Sequence, residues 1–128
     1  TSVDPNCLLN VSQNVDFGTQ GVLDANVDAD GELEVTCTSG TAYTVSLARQ
    51  AGTLPLGSWE MTNGSETVTY GLYADAARAD LWGDLPSDHV SGTGTSAVQT
   101  LDVYGRIPPQ TTPSAGSYSD IVVVTVTY

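Results

Sequence analysis

The chain contains no lysine, and its three arginines face 15 acidic residues in a length of 128, a net charge of −12. A phosphate backbone is repelled by that field, so the composition excludes nucleic acid and disfavours an anionic membrane surface. No apolar run approaches the ~20 residues of a membrane-spanning helix, so membrane insertion is not expected. No basic, apolar leader is present, and for an exported protein that means its leader has been removed. His89 is the only histidine and no Gly-x-Ser-x-Gly elbow occurs, so a nucleophilic triad has no basis and His89 reads as an exposed loop residue. The carboxylates include no pair marked out for glycoside chemistry. The expectation is a non-enzymatic protein without a cofactor.

Cysteine is scarce too, with only Cys7 and Cys37. Two cysteines thirty residues apart without companion histidines do not make a zinc site. A composition of Thr, Ser, Gly and Asp without lysine looks extracellular, which favours a disulfide over two buried thiols.

The longest run of strand character is Ser117 to Tyr128, reading SYSDIVVVTVTY. Val122, Val124, Val126 and Tyr128 share one face, and Ile121, Val123, Thr125 and Thr127 the other, because side chains alternate with period two. The apolar face needs a core, and the long backbone edge needs a pairing partner. Upstream, Cys7–Ser12 reads as a first strand, and Glu32–Thr38 followed by Thr41–Arg49 as a hairpin. Glu66–Ala74 and Ala97–Tyr104 complete six expected strands, with a shorter one around Trp59 and Met61. Asp75–Gly83 has helical composition but is short. Leu85–Ser96 and Gly105–Gly116 read as loops, and Thr1–Asn6 as a free tail ahead of a single domain spanning 1–128. Strands at this spacing indicate an all-β antiparallel sandwich. Immunoglobulin-like sandwiches have about seven strands or more, so six leave a groove where another should lie.

Asp24, Asn26, Asp28 and Asp30 alternate ahead of Gly31 like a calcium loop. The twelfth position, which needs a bidentate Glu, falls on Cys37 or Val35, so a solvated acidic turn at Asp30-Gly31 is expected instead. Asn10-Val11-Ser12 and Asn63-Gly64-Ser65 match glycosylation acceptors, a pattern that also arises by chance. Trp59, Tyr70, Tyr73, Trp82 and Tyr104 read as core or sheet-face residues rather than a sugar-stacking platform.

The ordered set of short motifs resembles the spore coat protein U domain, the family that includes the subunits of archaic chaperone–usher pili. The matching pieces are Cys7 with Phe17-Gly18, Val35-Thr36-Cys37, Gly40-Thr41-Ala42-Tyr43-Thr44-Val45 and Leu72-Tyr73-Ala74-Asp75. Leu81-Trp82-Gly83-Asp84, Val103-Tyr104-Gly105-Arg106-Ile107 and Gly116-Ser117-Tyr118-Ser119-Asp120 follow, leading into the final strand. The resemblance implies an incomplete immunoglobulin-like antiparallel sandwich lacking its last strand, with a Cys7–Cys37 disulfide. It further implies export to the periplasm, capture by a chaperone, handover at an outer-membrane usher, and donor-strand polymerisation with neighbouring subunits into adhesive, biofilm-forming fibres on the cell surface. Leu8 and Val11 are expected on one side of the donor-strand groove, with Val122, Val124, Val126 and Tyr128 on the other. The segment ahead of Cys7 departs from a strand donor: Val3 is its one large apolar residue, and Pro5 removes a ladder hydrogen bond. That leaves an acceptor domain of a tip subunit, a trimmed chain, or a coat protein that does not polymerise this way. The rival reading is a self-sufficient secreted adhesin or carbohydrate-binding module.

Overall fold

The computed structural model describes residues 1–83 and 89–128. Its strands are β1 (Cys7–Gln13), β2 (Val27–Cys37), β3 (Ala42–Arg49), β4 (Trp59–Thr62), β5 (Thr67–Tyr73), β6 (Val90–Thr93), β7 (Val98–Ile107) and β8 (Val122–Thr127). They form two antiparallel sheets, ordered β1-β2-β7-β5-β4 and β6-β3-β8. Alternation sets the core: Leu33, Val35 and Cys37 from β2 face Tyr43, Val45 and Leu47 from β3, with Val68, Tyr70 and Leu72 of β5 and Val103 and Ile107 of β7 completing it. Trp82 lies buried among them, and its indole N–H donates to the Val45 carbonyl at 2.9 Å.

Six of the strands occupy immunoglobulin places. β1-β2-β7-β5 is the A-B-E-D sheet and β3-β8 is the C-F pair. The G place, beside β8, holds no strand among the described residues. Tyr118, just ahead of β8, donates its hydroxyl to the Ser114 carbonyl at 2.6 Å, the tyrosine corner of such folds. The fold is therefore an all-β, incomplete immunoglobulin-like sandwich.

Expectations of local structure are corrected at the β2–β3 link and at Asp30-Gly31. β2 and β3 are not a hairpin. β2 pairs with β1 and β7, and β3 with β6 and β8. The link at Gly40 (φ 81°) carries the chain from one sheet to the other. Two alternating strands over a short link look alike whether the chain turns within a sheet or crosses between sheets. The crossing brings both apolar faces onto one core. Asp30-Gly31 is not a turn but the middle of β2. A Cβ on Gly31 would meet Val15 Cγ2 at 2.8 Å and the Gln13 carbonyl at 2.9 Å, so this glycine serves a close approach within a strand.

Asp75–Gly83 forms no helix. Asp75 Oδ1 accepts from the backbone of Ala79 and Asp80 at 3.0 Å each, a local alternative to helical pairing. The loop expected over Leu85–Ser96 lies partly outside the described residues, as does Asp84. Its described part contains β6, and His89 ahead of it is half-buried.

Cys7 and Cys37, 30 residues apart, are joined by a disulfide. Replacing both by serine should lower unfolding stability by about 3–4 kcal/mol from loop closure. Denaturant titration checks this, and an unchanged midpoint would show the loop already restrained in the unfolded chain.

Candidate functional site

Among the described residues β8 is bonded on one side only. Its residues from Val122 to Thr127 pair with Arg49 to Thr44 of β3, and no backbone hydrogen bond reaches its other edge among the described residues. Val122, Val124 and Val126 point inward but are only half covered. β1 is the edge of the other sheet. Its inward series is Cys7, Leu9 and Val11, opposite buried Cys37, Val35 and Leu33 of β2. Between these edges opens a cleft of about 1130 Å3. Val11 and residues 13–23 form one wall, Val122, Val124 and residues 112–121 the other, and Leu33, Leu47, Val68, Leu72, Val103 and Ile107 lie at its base.

Short contacts tie the walls together. The Leu23 N–H donates to Thr112 Oγ1 at 2.9 Å and its carbonyl accepts from Gln110 at 3.0 Å. The Ser114 N–H donates to Glu66 Oε2 at 2.6 Å. Hydrogen bonds from Ser114, and a smaller one from Tyr118, hold the Glu66 carboxyl below its ordinary 4.5. Val15 and Phe17 lie on the bare backbone of Gly31 and Gly105, where a Cβ on Gly105 would meet them at 2.8 and 2.9 Å. At the opposite end the Tyr128 hydroxyl donates to Asn6 Oδ1 at 3.0 Å, close to the disulfide.

A charged group stands in the wall ahead of β8. Asp120 Oδ2 accepts from Arg49 Nε at 2.8 Å and from the Tyr70 hydroxyl at 2.6 Å. Arg49 also donates to the Glu60 carbonyl of β4 at 3.1 Å. The bond to Asp120 raises the Arg49 pKa, and burial, reinforced by Asp120, pushes the Tyr70 phenol strongly upward. Asp120 thus links the start of β8 to β3, β4 and β5.

Of the residues expected at the groove, Val11, Val122 and Val124 line the cleft. Val126 packs on the core farther along β8. Leu8 is corrected: it sits opposite Thr36 on the outer face and is 66% exposed. Residues 8 and 11 have opposite parity in a strand, so they cannot share a face. Counting by twos from Cys7 would have found Leu9. Tyr128, 57% exposed, lies beyond the cleft, beside Thr44 and Ser91 on a shallower surface.

The calcium candidates do not converge either. Asp28 receives Arg106 Nε at 2.7 Å and Asp30 receives Arg78 at 2.7 Å, while Asp24 and Asn26 precede the strand. No group of metal-ligating side chains assembles among the described residues. Trp59, Tyr70 and Trp82 are buried, and Tyr104 lies beneath the Arg78 guanidinium at 5.4 Å, so these aromatics form no open stacking platform.

Architecture and cleft define an incomplete immunoglobulin-like sandwich, open where its last strand would pair. Over residues 1–125 the chain matches the Spore Coat Protein U domain, and it belongs to that family. It is 25% identical over 127 residues to Protein U of Myxococcus xanthus, covering 89% of this chain and 71% of that protein. It is also similar to a chain of the CsuC–CsuE chaperone–tip adhesion subunit pre-assembly complex from the archaic chaperone–usher Csu pili of Acinetobacter baumannii. That match has a TM-score of 0.70 at 22% identity over 99% of this chain, which spans 41% of that chain's length.

Glu66 gives a test of the wall. Its folded-state pKa is depressed, so its contribution is full above about 4.5 and disappears as pH falls through the lower folded value. Glu66→Gln should melt below wild type at pH 7, with the gap closing in acid below about 4.5. A gap unchanged down to about pH 2 would show that the carboxylate does not hold the loop.

Proposed function

We propose that the chain is a non-enzymatic structural subunit of an archaic chaperone–usher pilus, or of a related extracellular coat, that accepts a strand donated by another chain. The observation that carries this is β8, paired with β3 on one side and unpaired on the other among the described residues, beside an apolar cleft. An extended segment seated there would add backbone hydrogen bonds along β8 and cover Val122, Val124 and Val126 on one flank and Leu9 and Val11 on the other. The ladder provides affinity and the apolar side chains set alignment. Because the open edge is an aggregation hazard, the partner changes along the route: a periplasmic chaperone first, then a neighbouring subunit at the outer-membrane usher. Family membership and the similarity to a chaperone–tip subunit complex support these partners and a place on the cell surface, in adhesion and biofilm formation. A second reading, the acceptor domain of a longer tip subunit, draws on the solved chain being more than twice the length of this one.

Val124→Asp should weaken capture of a donated strand roughly hundredfold or more, since it places an unpaired carboxylate against the incoming apolar face. Val123→Asp, on the outward face of the same strand, should leave capture unchanged. Binding of a fluorescent alternating apolar peptide measures both. Equal binding by the two variants would put the strand somewhere other than beside β8.

A further inference from the structure

The inward face of β8 changes character at one end. Stepping back by twos from Val126 through Val124 and Val122 leads to Asp120, a carboxylate in the cleft wall with a side chain only 6% exposed. Its partner Arg49 is 10% exposed, and Tyr70 closes the group from β5. A buried pair of this kind seldom stabilises a fold more than apolar residues of the same size. Its best-attested use is to fix how two segments align, as one buried polar residue does in coiled coils.

We propose that Asp120, with Arg49 and Tyr70, is a register stop for the strand that enters the cleft. This rests on the strand-acceptor reading above and adds to it the chemistry of the acceptable donor. Asp120 Oδ2 is filled by Arg49 and Tyr70. Oδ1 takes the Ile121 N–H at 3.0 Å and only a long 3.5 Å approach from Arg49, which leaves accepting capacity for a further donor. The matching donor carries large apolar side chains at three alternate positions, toward Val126, Val124 and Val122. At the next inward position, toward Asp120, it carries a small or hydrogen-bond-donating residue such as Gly, Ser or Asn. A slip of two residues presses a large apolar side chain onto the carboxylate and removes its remaining access to a donor. A slip of one turns the whole apolar face outward. The valines alone do not distinguish slips by two, because they repeat.

Two synthetic peptides of about ten residues test this, alternating apolar and polar throughout and differing only at the inward position toward Asp120, Asn in one and Leu in the other. Wild-type protein should bind the Asn peptide at least roughly tenfold more tightly. In the variant Arg49→Met, Tyr70→Phe, Asp120→Leu the preference should vanish or reverse. Equal binding of the two peptides by wild type, or a preference retained in the variant, overturns the register stop. Binding of neither peptide by wild type overturns the strand-acceptor reading instead. The wild-type comparison decides by itself should the triple variant not fold.

Discussion

The single-sided pairing of β8 is the constraint on which the rest of the structure depends. A strand with one ladder and a half-covered apolar face is costly to leave open, because its unpaired N–H and C=O groups and its valines invite pairing. The molecule does not collapse to hide them. A cleft stays open between β1 and β8, and the contacts that frame it are covalent or polar. The Cys7–Cys37 disulfide fixes β1 to β2, the bonds of Leu23 with Gln110 and Thr112 join the two walls, and Asp120 binds the start of β8 to three other strands through Arg49 and Tyr70. Apolar contacts could close the cleft by sliding together. The directed hydrogen bonds between the walls fix their spacing instead, while the disulfide holds the β1 edge in place within its own sheet.

The glycines contribute to the same end. Val15 and Phe17 leave β1 and turn inward onto β2 and β7, which is possible only because Gly31 and Gly105 present bare backbone there. One inner surface of the sheet is thereby covered by the chain's own segment. The remaining inner surface, beside β8 and the inward residues of β1, is not. The fold thus distinguishes a part of its core that is complete from a part left uncovered, and the boundary falls at residues with a definite steric or polar role.

Much of this was legible in the sequence. The alternation in the final strand identifies Val122, Val124 and Val126 as one face, and the spacing of strands and loops identifies the sandwich. What escaped has physical reasons. The β2–β3 crossing looks like a hairpin because alternation reports which residues face a core, not from which side. Asp30-Gly31 looks like a turn because a glycine that admits a neighbouring side chain resembles one that admits a bend. Hydrophobicity alone places Leu8 at the groove, whereas parity with Cys7 selects Leu9. The Asp120 group was invisible because its members lie at positions 49, 70 and 120, and nothing local marks them as neighbours.

Charge explains how such an edge can coexist with many copies of itself. All three arginines are engaged with carboxylates, Arg49 internally and Arg78 and Arg106 on the outer face of β2. The excess acidity therefore stays unneutralised, and copies carrying −12 each repel one another as they come close. The inner sides of β1 and β8 and the base of the cleft between them are apolar, and screening over ~8 Å at physiological ionic strength confines the repulsion to the approach. Unguided pairing of one open β8 with another is slowed, because two acidic bodies must come together broadside. A slender segment seated along β8 brings little charge with it and meets valine there until it reaches Asp120. The same distribution of charge that discourages edge-to-edge aggregation thus leaves the cleft open to a strand.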